Sequence, residues 1–215
     1  MTSPSCPNEA CIQSIGSPAK VVRHGFFRVR CGRRRRFRCR GCGRTFSART
    51  NTPNFGLGCS SRAFERVALL SVEGMSCAAI ARVEGIAWHT ADRWLAKAAE
   101  LAQWFNERHI YGIPLVELQA DELRTFAPCK AKPTWVFTSM EVCSRLWSST
   151  VVGRRSPTHA RCEKRLHRQL ELARCHYNFI RRYTGLRFGR EFRTPAMVAG
   201  LCDRVCSFRD VFAFA

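Results

Sequence analysis

Two short cysteine pairs, Cys6/Cys11 and Cys39/Cys42, flank a run of arginines and constrain the start of this chain more than any other feature. Four thiolates complete the tetrahedral shell of one zinc ion, so a chain that uses them must bring two separate loops to a single point. The second pair lies in RFRCRGCGRTF (residues 36–46), where Arg40 and Gly41 separate the thiols and Gly43 relieves the tight turn that follows. The first pair, Cys6-Pro-Asn-Glu-Ala-Cys11, is more widely spaced but stays within the range of structural zinc ligands. Between the pairs, HGFFRVR (24–30) and RFRCR (36–40) alternate apolar and basic side chains with period two, as strands do. The expected unit is a zinc ribbon over residues 1–50, with Zn²⁺ as a structural ion.

The chain has 13 cysteines in 215 residues. An odd count without an apolar signal region after Met1 does not suit a secreted disulfide scaffold, and a reducing cytoplasm fits better. Cys31, Cys59, Cys77, Cys129, Cys143, Cys162 and Cys175 read as small apolar fillers or surface thiols, with Cys31 near enough to the ribbon to compete for the metal. Cys202 and Cys206 share a helical spacing but lack a second pair.

The formal charge is +20, carried mostly by arginine, which points to a polyanionic partner with guanidinium contacts to phosphate. Arg33, Arg34, Arg35 and Arg36 stand together beside the ribbon, with Arg38 and Arg40 just beyond, and are the candidate phosphate ligands. No stretch approaches the roughly eighteen apolar residues that a membrane span requires, so a membrane partner is not expected.

After a polar link over residues 48–61 the period becomes helical, with a first stripe through Ala63, Val67 and Leu70. In SVEGMSCAAIARVEGIAWHTADRWL (71–95), Ser76 caps a short helix running through Ile80 to Val83, Gly85 makes the turn, and a second helix starts near His89. That is a helix-turn-helix, with a recognition helix over about 89–105 whose exposed start carries His89, Thr90, Asp92 and Arg93. Ala87 is a weaker cap than serine or threonine, at a cost of about 1 kcal/mol.

Residues 116–126 and 134–156 read as three strands, through Leu118 and Ala120, through Val136 and Phe137, and through 147–152, with residues 128–133 as a turn. Asp121 falls in the first of them and is the best catalytic candidate, able to bind Mg²⁺ if other carboxylates converge on it. Glu122 would face the other way, and Glu141 lies near the same sheet without anything in the sequence that places it beside Asp121.

The order of these motifs resembles the transposases of bacterial insertion sequences of the insertion sequence one type, through RFRCRGCGRTF, GMSCAAIARVEGIAWHTADRWL, LQADELRTF, SRLWSSTVVGRRS, RCHYNFIR (174–181) and RFGREFRTPAMVAGL (187–201). The resemblance implies an RNase H-like DDE core behind the zinc ribbon and helix-turn-helix. It also implies metal-dependent DNA strand transfer, with Asp121 matching the first catalytic aspartate. A second aspartate and a helical glutamate are implied as well, but residues 156–159 pass directly into the last matching segment. After Ser156 the carboxylates are Glu163, Glu171, Glu191, Asp203 and Asp210. Glu163 and Glu171 lie on a helix whose apolar stripe is Leu166, Leu170, Ala173, Tyr177 and Ile180, and they read as solvated. His159, His167 and His176 read as polar-face or core histidines, and residues 202–215 are given no function.

The expected fold is therefore α+β and multidomain: a zinc ribbon (1–50), a helix-turn-helix region (58–110), an incomplete RNase H-like sheet (111–156) and a C-terminal helical remnant and tail (157–215). Val136, Phe137 and Leu146 are expected to be left open by the missing helices. The expected function is that of a transposase-related protein that binds double-stranded DNA, with the terminal repeats of an element as its target, and lacks competent catalysis. Mg²⁺ would matter only in a working core, and a bacterial cytoplasmic, nucleoid-associated location is expected. Association with itself or with an intact transposase is a further expectation. The alternative is a zinc-ribbon and helix-turn-helix transcription regulator acting at a promoter.

Overall fold

Helical and extended periods alternate along the chain, and the computed structural model describes residues 6–8, 10–11, 21–29, 32–50, 55–113, 115–126, 133–153 and 160–213, the side chains of 126, 133 and 160–162 excluded. Cys31, Cys129, His159, the side chain of Cys162 and all but the last residue of the turn expected at 128–133 lie outside the described residues, and residue 133 already belongs to a strand. The architecture is α+β, with three small antiparallel sheets, six α-helices and one π-helical segment among the described residues. Two units divide it, residues 1–64 and 65–215.

The first unit is built on β1 (Val21–Val29), β2 (Gly32–Cys39) and β3 (Thr45–Phe46), in that spatial order. The β1–β2 ladder slips between Arg23 and Phe26, where Gly25 takes a φ of 75° that side-chain-bearing residues avoid. Its core consists of Cys6, Cys11, Cys39 and Phe46, with Val21, Phe37 and Cys42 packed around them. Arg34 and Arg49 grip the following segment: Arg34 Nη2 donates to the carbonyls of Leu57 (2.8 Å) and Cys59 (2.6 Å), and Arg49 to Cys59 (2.6 Å).

The second unit takes in all but the first four residues of α1 (Ser61–Val72), and α1 and α2 (Cys77–Val83) precede the long α3 (Trp88–His109). The buried side of α1 runs through Val67, Ala68 and Ser71, turned from the expected stripe, because Ser71 exchanges two hydrogen bonds with Gln169 of α4 (Ala160–Cys175). A second sheet follows α3 in the order β4 (Leu118–Phe126), β5 (Pro133–Glu141), β6 (Leu146–Gly153), so the strands form where alternation predicts them. Val136 and Leu146 are buried, against the expectation that they lie open, and Phe137 remains 40% exposed. The sheet is thus covered on one side by α4 and the π-helical segment His176–Ile180.

The solvated reading of Glu171 is also corrected. Glu171 and Arg174 are buried, paired at 2.7 Å, and Asn106 of α3 donates to the same Glu171 oxygen at 2.9 Å. The deepest face of α4 runs through Glu171, Leu172 and Cys175 to Phe179, so it accepts polar groups because partners meet them. Beyond it, β7 (Tyr183–Phe188) and β8 (Glu191–Arg193) form a hairpin turned at Gly189 (φ 61°), where only helix and tail were expected. Two short helices complete the unit, α5 (Pro195–Val198), capped by Thr194, and α6 (Phe208–Ala213).

The tail carries structure. Phe208, Val211 and Phe212 of α6 are buried, α6 packs on α3, and Arg209 pairs with Glu65 at 3.2 Å. His176 is a core histidine stacked on Phe208, with centroids 5.9 Å apart and planes 15° from parallel. Burial holds its pKa below the ordinary histidine value, Arg181 acting in the same sense and Glu73 against it. The unfolded ring takes up its proton near pH 6.5, so below that pH the unfolded chain binds a proton that the folded chain resists. Stability is therefore full above about pH 6.5 and falls with pH until the lower folded value is passed. The melting temperature is expected to drop between pH 7 and pH 5, and His176→Phe to flatten that drop; an unaltered pH profile in the variant would refute the assignment.

Candidate metal centre and nucleic-acid interface

The four cysteines reach one point because two tight turns deliver them. Cys11 N–H donates to Asn8 carbonyl at 2.9 Å, closing the first turn. In the second, Gly43 N–H donates to Cys39 carbonyl (2.9 Å) and Cys39 N–H to Arg44 carbonyl (3.0 Å), with Gly43 at φ 72°. The Sγ atoms of Cys6 and Cys42 lie 3.6 Å apart, those of Cys11 and Cys39 3.8 Å apart, and all four fall within 4.8 Å of one another. Zinc–thiolate bonds of about 2.3 Å in a tetrahedron put sulfurs about 3.8 Å apart, so the spacing fits a single tetrahedral ion.

The electrostatics of the set are uneven. The Arg44 main-chain N–H, helped by Cys6, Asn8 and Cys39, lowers the Cys42 thiol to about 6, whereas burial pushes Cys6 up to about 12. A cation bound by the four thiols would displace their remaining protons. Among the described residues, no other group of three or more His, Cys, Asp or Glu side chains gathers around one point. Cys202 and Cys206 are half-buried in the loop before α6.

The arginines project from the strand that ends at Cys39. Arg33, Arg35, Arg36, Arg38 and Arg40 are exposed. Arg35 lies over the Phe26 ring at 4.5 Å and Arg36 over Phe27 at 5.5 Å, contacts that restrict the guanidiniums while both residues stay exposed. Arg36 and Phe27 also line a shallow cleft of about 350 Å³ with Phe55. Arg34 differs from its neighbours because its guanidinium is held on the two carbonyls of residues 57 and 59.

In the second unit, Ser76 caps α2 by accepting from Ala79 N–H, Gly85 turns the chain at φ 62°, and α3 starts after Ala87, which supplies no side-chain cap. His89 and Arg93 are exposed at the start of α3 and Thr90 is half-exposed. Asp92 faces Arg165 of α4 at 3.4 Å, and the same guanidinium lies over Trp88 at 5.3 Å. Sequence reasoning missed Arg165, whose partners lie more than seventy positions away.

Asp121 is exposed on β4, paired with Thr138 of β5, and its Oδ1 accepts from the N–H of Glu122 at 2.8 Å. It lines a cleft of about 380 Å³ with Gln119, Thr138, Met140, Trp147 and Tyr177, and is the only carboxylate in that lining. Glu141 is buried at the β5–β6 turn, where it accepts from the N–H groups of Cys143 (3.1 Å) and Ser144 (2.6 Å) and from the Ser144 hydroxyl. The Ser144 hydroxyl, ahead of those amides, holds its pKa below the usual carboxylate value. One carboxylate does not make a Mg²⁺ site for phosphoryl transfer, so the described residues do not fit that ion. No described helix is long and apolar enough to cross a membrane.

Compared with protein-family models, curated proteins and solved structures, the chain matches none.

Proposed function

We propose that this chain is a DNA-binding protein descended from an insertion-sequence transposase, working through a zinc ribbon and a helix-turn-helix and lacking strand-transfer activity. The observation that carries the reading is the four-thiol cluster at the base of a strand and turn that together present five exposed arginines. A metal-stapled ribbon of this kind is a rigid support for phosphate contacts, and the α2–turn–α3 unit supplies a second element of a size to enter a major groove. On this reading Zn²⁺ occupies Cys6, Cys11, Cys39 and Cys42. Arg33, Arg35, Arg36, Arg38 and Arg40 meet phosphates, and His89, Thr90 and Arg93 meet base edges. The β4–β5–β6 sheet is then the remnant of an RNase H-like core, and the lone carboxylate of the Asp121 cleft supports loss of catalysis.

Five phosphate contacts predict a slope of log K against log salt of roughly −4 to −5. Affinity for duplex DNA is expected to fall by a factor of about 10²–10³ between 50 and 200 mM salt. Arg35→Ala with Arg36→Ala should flatten that slope by about two. Arg93→Ala should instead weaken sequence preference, by about 1–3 kcal/mol at the affected base. Fluorescence anisotropy across a salt series checks both, and salt-independent binding would refute the proposal. Footprinting then separates protection of element ends from protection of a promoter.

A further inference from the structure

The two edges of the β4–β5–β6 sheet are treated differently. At β6, side chains stand in for a neighbouring strand: Asn178 accepts from Trp147 N–H at 2.9 Å and donates to its carbonyl at 2.8 Å, and Arg174 donates to Ser148 carbonyl at 2.7 Å. No strand flanks β4 on its outer side among the described residues. An open edge of this kind is a template for another strand unless something blunts it.

The direction of each backbone group on β4 follows from the ladder. Val142 N–H donates to Glu117 carbonyl at 3.0 Å, which marks residue 117 as hydrogen-bonded toward the β5 side. With a period of two, residues 119, 121, 123 and 125 turn their backbone groups to β5, and 118, 120, 122 and 124 turn theirs outward. Glu122 agrees, since its N–H is held by the Asp121 carboxylate.

We propose that β4 pairs antiparallel with β4 of a second copy, about a two-fold axis at Leu123. In that register Glu122 faces Arg124 of the second copy, and Arg124 faces its Glu122, so two opposite-charge pairs form by symmetry. Residues 122 and 124 both point outward, so each pair also exchanges its two main-chain hydrogen bonds, the Asp121 carboxylate giving up the Glu122 donor. Leu123, 60% exposed, meets its own counterpart at the closer, non-hydrogen-bonded position. Centring on Asp121, Glu122 or Arg124 sets like charges directly opposite, and centring on Ala120 sets Glu122 against Leu118 and forms no opposite-charge pair. The six-stranded sheet so formed continues the open row of Glu122, Phe137 and Val151 across both copies.

The test uses the full-length, metal-loaded chain in sedimentation equilibrium at physiological salt, because +20 on each copy repels its partner at low salt. The wild type is expected to show a monomer–dimer equilibrium. Arg124→Glu and Glu122→Arg, each alone with a circular dichroism spectrum like that of the wild type, should weaken it by about tenfold or more. An equimolar mixture of the two variants restores both opposite-charge pairs and should associate as tightly as the wild type. A wild type that stays monomeric, variants that dimerise unaided, or a mixture that stays apart would each overturn the proposal.

Discussion

Chelation of the metal, or Cys39→Ser, is expected to unfold the first unit outright while the second keeps its structure. The reason lies in what the ribbon core contains: of its four buried residues, three are thiols, and Phe46 is the fourth. A unit of this size with so little apolar packing does not hold its chain together without a staple. Structural zinc in comparable small folds contributes about 10–16 kcal/mol of apparent folding free energy, far more than the aromatic contact of Phe37 with Phe46 supplies. Elemental analysis should find one metal per chain and identify it, since four thiolates also suit iron. Limited proteolysis before and after chelation should show new cuts confined to residues before about 60. Unchanged protection after complete metal loss would remove the stapled ribbon and, with it, the basis of the DNA-binding proposal.

Arg174→Met should strongly destabilise the second unit. It strips the buried Glu171 carboxylate of its counter-charge and frees the carbonyl of Ser148 at the sheet edge. Breaking one side of a buried pair costs about 3–5 kcal/mol, because the remaining charge stays where water cannot reach it. For a unit of this size that corresponds to a fall in melting temperature of about 10 °C. Combining it with Glu171→Gln removes the stranded charge and should recover more than half of the loss, with Asn106 still able to donate to the amide oxygen. Thermal melts of the two singles and the double form a double-mutant cycle. Strictly additive losses would mean that the pair is not the source of the effect.

The parts of the fold legible in the sequence are those whose causes are local. Cys39 and Cys42 share one turn, Ser76 caps a helix three residues ahead, Gly85 sits where a positive φ is needed, and the three strands of the second sheet follow from alternation. What stayed hidden depends on partners far along the chain. Glu171 reads as a surface residue until Asn106, 65 positions away, is packed beside it. Arg34 cannot be told from Arg33 or Arg35 by sequence, yet it alone among the run's described contacts is turned onto the carbonyls of residues 57 and 59. The π-helical segment at His176–Ile180 inserts an irregularity that no period of 3.6 anticipates, so the places of Tyr177 and Ile180 do not follow from the stripe upstream of them. Asp121 reads from the sequence as a carboxylate in apolar surroundings, yet it is exposed on β4, and the neighbours that decide its chemistry are set by the register with β5.

Glu65 and Arg209 are separated by 144 positions, and α6 lies against α3. During synthesis the ribbon has all of its ligands once Cys42 has left the ribosome, so it can bind metal and fold while most of the chain is still unmade. The second unit has no such freedom, because its hydrophobic interior stays unsealed until Phe208 and Phe212 emerge. For that interval a folded, strongly cationic head would trail an unfinished body with its apolar helices open. Stalled or prematurely terminated chains would therefore retain the first unit's surface while presenting a substrate for chaperones and proteases in place of the second.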